Sequence, residues 1–104
     1  MLHSATKYLG GHNDVLGGAL VGRADLIRTI RDLHGVLGGV IDPHTSYLIL
    51  SGVKTLALRV ERANRNAEAI SRYLEQHRRI ERVHYPGLES HRDHAVARRL
   101  MKGF

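Results

Sequence analysis

Apolar residues recur every three to four positions over the middle of the chain, and this spacing predicts a long amphipathic helix. The helix is expected to run from Lys54 to about His77. Its apolar positions are Leu56, Val60, Ala63, Ala67, Ile70 and Leu74. Acidic and basic residues four positions apart fill the opposite face, so that face is predicted to lie in solvent.

Two shorter helices are predicted before it. The first follows Asp25, a suitable capping residue, carries leucine and isoleucine at helical spacing, and ends at Gly38-Gly39. The second begins at Asp42-Pro43, because aspartate caps helices well and proline fits the first turn. Gly52 is expected to break or kink this second helix.

Two strands and a last helix complete the predicted elements. The apolar run from Val15 to Val21 predicts a buried strand, and the alternation from Ile80 to Tyr85 predicts a half-buried one, closed by Pro86-Gly87. Asp93 to Met101 has the pattern of a short helix that ends before Gly103. The mixture of strands and helices indicates the α/β class.

The composition is that of an ordinary globular protein. The 104 residues are enough for one small core, with 42% apolar and 25% charged residues. No cysteine is present to form a disulfide framework, no apolar stretch reaches membrane-spanning length, and no secretory signal opens the chain. We therefore expect a cytoplasmic protein that does not contact membranes.

The net charge suggests a nucleic-acid partner and the histidine content suggests a metal ion, but the arrangement of these residues along the sequence favours neither. A net charge of +6 raises the possibility of a nucleic-acid partner, but the charges are dispersed along helices without an aromatic platform. Among the eight histidines, His91 and His94 with Asp93 form the best metal candidate. Zinc would need further ligands and no cysteine supplies one, so neither nucleic acid nor metal is expected.

The run from His3 to Asp14 carries the candidate chemistry. Lys7 has the setting of a Schiff-base lysine, whose amine attacks an aldehyde. The hydroxyls of Ser4 and Thr6 could bind a phosphate beside it, and the glycines that follow allow the backbone to approach a ligand closely. The alternative interpretation is an exposed lysine in a glycine-rich loop.

The segment from Ser4 to Asn13 resembles the pyridoxal-phosphate attachment signature of the Cys/Met-metabolism, or trans-sulfuration, enzymes. The shared pattern is two small residues, Thr-Lys, an aromatic, an aliphatic, any residue, Gly-His and a small polar residue. The resemblance continues through segments as far as Lys102-Gly103-Phe104. It implies a fold-type-I transferase with pyridoxal 5'-phosphate on Lys7, which is also the catalytic base, and with Ser4 and Thr6 on the phosphate.

The same resemblance implies how the chain is organised. Residues 1–63 would be the end of the large cofactor domain and residues 64–104 the beginning of the C-terminal small domain, with the boundary inside the long helix. Because enzymes of this family are several-fold longer, we expect an internal piece that is inactive alone. The strand that precedes the lysine loop in such enzymes is expected to be missing, and so are the residues that hold the cofactor ring and the substrate carboxylate.

For the intact enzyme, the resemblance implies small amino-acid substrates and a homotetramer built from dimers. The implied reaction replaces the γ-substituent of an activated homoserine ester with the thiol of cysteine, on the way to methionine. Elimination from the γ- or β-carbon and direct sulfhydrylation are alternatives on the same scaffold. The non-enzymatic alternative is a small basic module that binds an anionic partner.

Overall fold

An antiparallel pair of short strands brackets the lysine-bearing run. A computed structural model, which describes residues 1–104, has β1 at Leu2–Ser4 and β2 at Gly18–Leu20, with Ser4 opposite Gly18. The strand predicted over residues 15–21 is therefore shorter than expected, and β2 itself is mostly exposed. The expectation that no strand precedes the lysine loop is wrong, since β1 occupies that position.

The first helix, α1, spans Ala24–Leu37. Its end at Gly38 is confirmed: this glycine has φ of 73°, in the left-handed region, and its N–H donates to the carbonyl of His34. The predicted cap at Asp25 is wrong. Asp25 lies inside the first turn, where its carboxylate pairs with the guanidinium of Arg23 at 2.6 Å.

The second helix, α2, spans Pro43–Val53, and its predicted start is confirmed. The carboxylate of Asp42 accepts from the backbone N–H groups of His44 at 2.9 Å and Thr45 at 3.0 Å. These two groups have no partner inside the helix, so the cap stabilises its first turn. The predicted break at Gly52 is confirmed to within one residue, because α2 ends at Val53 and a turn at residues 54–55 precedes the next helix.

The Asp42 cap should make the stability of the protein depend on pH. Hydrogen bonds from the Thr45 hydroxyl and backbone hold the pKa of Asp42 below its usual range. A lowered folded-state pKa contributes stability that is complete above the unfolded value of about 3.9 and is lost as the pH falls through the folded value. We expect Asp42→Ala to lower the Tm at neutral pH, and the difference from wild type to shrink below about pH 4.

Thermal unfolding across pH checks this expectation. Asp42→Asn is the matched control, because its side chain still accepts from the backbone but gains no proton in this range. Its Tm should lie near that of wild type at neutral pH. A Tm difference between wild type and Asp42→Ala that stays constant down to pH 2 would contradict the account.

The chain forms two compact units, Met1–Ala57 and Leu58–Phe104. The long predicted helix is confirmed as α3, Leu56–Glu75, whose exposed face carries the pairs Glu61–Arg65 and Glu68–Arg72. The predicted boundary between residues 63 and 64 stays a prediction. No helix combines the length and apolar character needed to cross a membrane.

The second unit continues from α3 through an irregular segment to α4, His94–Leu100, which confirms the predicted last helix. The strand predicted over residues 80–85 is wrong, since this segment forms no ladder. Alternation alone does not make a strand, which needs a neighbour to receive its hydrogen bonds. The core of this unit is small, with Leu88, Ala97 and Ser71 buried.

Candidate cofactor site

Lys7 lies in a single π-helical turn, Ala5–Leu9, that follows β1 directly. The N–H of Gly10 donates to the carbonyl of Ala5, five residues earlier, at 2.7 Å, and the N–H of Gly11 donates to the carbonyl of Lys7 at 2.7 Å. Lys7 departs from helical geometry, with φ of −88° and ψ of −114°, and its side chain is exposed. Turns of this type occur frequently at functional sites.

Gly17 fixes the start of the turn from across the loop. Its carbonyl accepts from the N–H groups of Ala5 at 2.8 Å and Thr6 at 3.2 Å. Its own N–H donates to Oγ1 of Thr6 at 3.0 Å. These bonds close the loop between residues 6 and 17 and hold the backbone immediately before Lys7.

The middle of the loop turns sharply at Gly11 and Asn13, whose φ values are 77° and 59°. Glycine takes this conformation without steric cost, and asparagine tolerates it. Between them, Nδ1 of His12 lies 2.8 Å from the carbonyl oxygen of Gly10. His12 therefore contacts the loop backbone and helps to fix its shape.

The three predicted site residues fall within four consecutive positions but differ in their surroundings. Ser4 ends β1, is exposed, and makes no capping hydrogen bond with its side chain. Thr6 is half-buried and bound to Gly17, whereas Lys7 is exposed. The structure therefore brings an amine and two hydroxyls to one short segment.

The histidine pair considered for metal binding is engaged differently. Nδ1 of His91 accepts from the backbone N–H of Asp93 at 3.1 Å, and Nδ1 of His94 lies 2.8 Å from the carbonyl of Pro86. No group of three or more His, Asp or Glu side chains is arranged to hold a metal ion in residues 1–104.

The whole chain matches one enzyme family. The sequence model of the Cys/Met metabolism, pyridoxal-phosphate-dependent enzymes covers residues 1–104. The chain belongs to this family. Pyridoxal phosphate, predicted from the lysine loop, is thereby confirmed as the family cofactor.

Individual members of the Cys/Met metabolism family are similar over nearly the full chain. It is 51% identical over 104 residues to chloroplastic cystathionine gamma-synthase 1 of Arabidopsis thaliana. A cystathionine gamma-lyase structure from Lactobacillus plantarum, complexed with L-serine, covers 99% of the chain with 39% identity and a TM-score of 0.93. A cystathionine gamma-synthase structure from Xanthomonas oryzae pv. oryzae, with aminoacrylate and cysteine, covers 99% with 42% identity and a TM-score of 0.91.

The matches confirm the predicted α/β fold of a pyridoxal-phosphate-dependent family. The matches also show how much of such an enzyme the chain represents: it spans 18% of the Arabidopsis enzyme and 27% of each of the two solved chains. The activity, substrates and assembly of the whole protein therefore belong to the proposals below.

The donors around Lys7 fit the family cofactor. A phosphate needs hydrogen-bond donors and an aldehyde needs an amine. The N–H groups of Ala5 and Thr6 already donate to Gly17, whereas the side chains of Ser4, Thr6 and Lys7 offer donors on this segment. The Thr6 hydroxyl accepts from Gly17 at 3.0 Å but lies 3.4 Å from the Gly17 carbonyl, a long distance for its own donated bond.

Sequence reasoning missed two residues of this region. Gly17 was assigned to a buried strand, and its hydrogen bonds run through backbone atoms that no side-chain pattern reveals. Gly52 was expected to break or kink the helix, but its burial against the backbone of Gly10 was not expected. A lone glycine inside a helical pattern costs stability and usually has a packing reason, so its signal was present in the sequence.

Proposed function

We propose that the protein containing this chain is a pyridoxal-phosphate-dependent enzyme that forms cystathionine from an activated homoserine ester and cysteine. The observation that carries the proposal is Lys7, an exposed amine on a turn whose backbone is fixed from both sides. The 51% identity to a cystathionine gamma-synthase over all 104 residues supports the choice of reaction.

In this proposal the residues of the lysine loop have distinct tasks. The Ser4 and Thr6 hydroxyls donate to the cofactor phosphate, and Nζ of Lys7 forms the covalent bond to the cofactor. When bound, the cofactor withdraws electrons from the substrate carbons next to its amine. With the cofactor bound, the Lys7 amine would be the base that removes and returns protons at the substrate Cα and Cβ.

A lyase is the second candidate, because a lyase structure is as similar to the chain as a synthase structure is. The gamma-lyase structure superposes on 99% of the chain with a TM-score of 0.93, similar to the value for the synthase structure. The tasks proposed for Ser4, Thr6 and Lys7 are common to both reactions. These three residues therefore do not decide between the two reactions.

The assembly into a homotetramer is part of the same proposal. Large apolar side chains are uncovered in the first unit, among them Leu16 at 81% and Val36 at 85% exposure. Exposed apolar side chains of this kind fit a surface that the rest of the protein or another subunit covers. The cytoplasmic location expected from the sequence stays a prediction.

The product distribution tests the proposed reaction. We expect the full-length protein, loaded with pyridoxal phosphate, to convert cysteine and at least one of a panel of O-acyl and O-phosphoryl homoserine esters into cystathionine, measured by mass spectrometry. Formation of a 2-oxo acid and ammonia from cystathionine, without synthesis, would favour the lyase. Neither reaction with any of these substrates would contradict the proposal.

A further inference from the structure

One face of α2 backs both ends of the lysine loop. Ile49 and Gly52 are three residues apart, so they lie on the same side of the helix. Ile49 contacts Gly17, whose carbonyl holds the residues before Lys7, and Gly52 contacts Gly10, which follows the turn that contains Lys7. The helix thus reaches the Lys7 backbone through two glycines.

At Gly52 the helix backbone lies too close to the loop for any side chain. A Cβ added there would overlap the carbonyl oxygen of Gly10 and lie 2.9 Å from the carbonyl oxygen of Leu9. Both atoms belong to the backbone, so they cannot move aside as the end of a flexible side chain would. Glycine is therefore required at this position by close approach of two backbones.

At Ile49 the contact is tight but involves a side chain. Cδ1 of Ile49 lies 3.0 Å from the position of a Cβ built on Gly17. Gly17 is the residue whose carbonyl accepts from Ala5 and Thr6. The helix therefore supports the hydrogen bonds that hold the turn as well as the exit from it.

We propose that Gly52 is a positioning residue for Lys7, setting through Gly10 where the π turn presents the lysine amine. The inference rests on the role proposed above for Lys7 as the cofactor anchor. Because the Lys7 side chain is exposed, its location depends on the backbone of the turn rather than on side-chain packing. A displaced Gly10 shifts the turn through the bond between the Gly10 N–H and the Ala5 carbonyl.

The test compares Gly52→Ala with Gly35→Ala in the full-length protein. Gly35 lies inside α1, and a Cβ added there meets nothing within 4 Å, so this control changes the same residue type in a helix without the contact. We expect Gly52→Ala to lower kcat about 100-fold, as small displacements of a reacting group can. It should also shift the absorption band of the lysine-bound cofactor and speed amide hydrogen exchange of residues 5–17 in the cofactor-free protein.

A second variant keeps the inference testable if Gly52→Ala does not fold. Ile49→Val removes the methyl that contacts Gly17 without adding any atom, and it should produce the same three changes at smaller size. The inference would be overturned if a folded Gly52→Ala protein had the kcat, band position and loop exchange of wild type. If Gly52→Ala is unfolded, the same result in Ile49→Val would overturn it. Equal changes in Gly35→Ala would overturn it too.

Lys7→Ala, measured in parallel, separates this inference from the proposed function. If Lys7→Ala loses the band while Gly52→Ala matches wild type, the positioning role falls and the anchor role stands. If Lys7→Ala keeps the covalent adduct, the anchor role falls, and the positioning role with it.

Discussion

Replacement of Lys7 by alanine is expected to abolish covalent attachment of pyridoxal phosphate and to lower kcat/KM by about 10³-fold or more. The substitution removes the one amine on the π turn, and with it both the bond to the cofactor and the base for the substrate Cα proton. The absorption spectrum of the loaded protein and steady-state kinetics measure the two losses separately.

Three control variants make this result specific. Lys54→Ala and Lys102→Ala remove the other two lysines of the chain and should keep both the band and the activity. Lys7→Arg keeps the positive charge but offers no amine that can bond to an aldehyde, so it should behave like Lys7→Ala. A normal band in Lys7→Ala, or its loss in Lys54→Ala instead, would contradict the assignment.

Thr6→Val is expected to weaken cofactor binding and to destabilise the loop, because the hydroxyl of Thr6 has two tasks. It accepts from the Gly17 N–H at 3.0 Å, and in the proposed function it also donates to the cofactor phosphate. A hydrogen bond to a charged group contributes about 1.5–3 kcal/mol, so the Kd for pyridoxal phosphate should rise about tenfold or more. The unpaired Gly17 N–H should also lower the free energy of unfolding of the cofactor-free protein by about 1 kcal/mol.

Ser4→Ala separates the two tasks. The Ser4 side chain makes no capping hydrogen bond, so removing its hydroxyl should leave the Tm of the cofactor-free protein unchanged. The Kd for the cofactor should nevertheless rise. Thr6→Ser retains a hydroxyl and should recover most of both properties. Fluorescence titration with the cofactor and thermal unfolding without it measure the two quantities. A Thr6→Val protein with wild-type affinity would remove Thr6 from the phosphate site.

The elements that the sequence predicted well are those encoded by neighbouring residues. The start of α2 depends on Asp42 and the two N–H groups that follow it, and the end of α1 depends on Gly38 and His34. The length of α3 follows from a regular apolar spacing. Each of these signals lies within a few positions along the chain, so local patterns were sufficient.

The elements that the sequence predicted poorly depend on residues distant in the chain. The segment 80–85 alternates as a strand does but has no partner strand here, and alternation cannot show that. The bond from the Thr6 N–H to the Gly17 carbonyl and the close approach of Gly52 to Gly10 join backbone atoms more than ten residues apart. The cofactor lysine was identified because its signature is contiguous, whereas the support for that lysine is not.

The attachment point of the cofactor is the most direct measurement of the central claim. Full-length protein loaded with pyridoxal phosphate would be reduced with borohydride, digested, and mapped by tandem mass spectrometry. We predict that the reduced cofactor is found on Lys7 and is absent from Lys54 and Lys102. A modified Lys54 or Lys102 with an unmodified Lys7, or no modified peptide from this chain, would contradict the account.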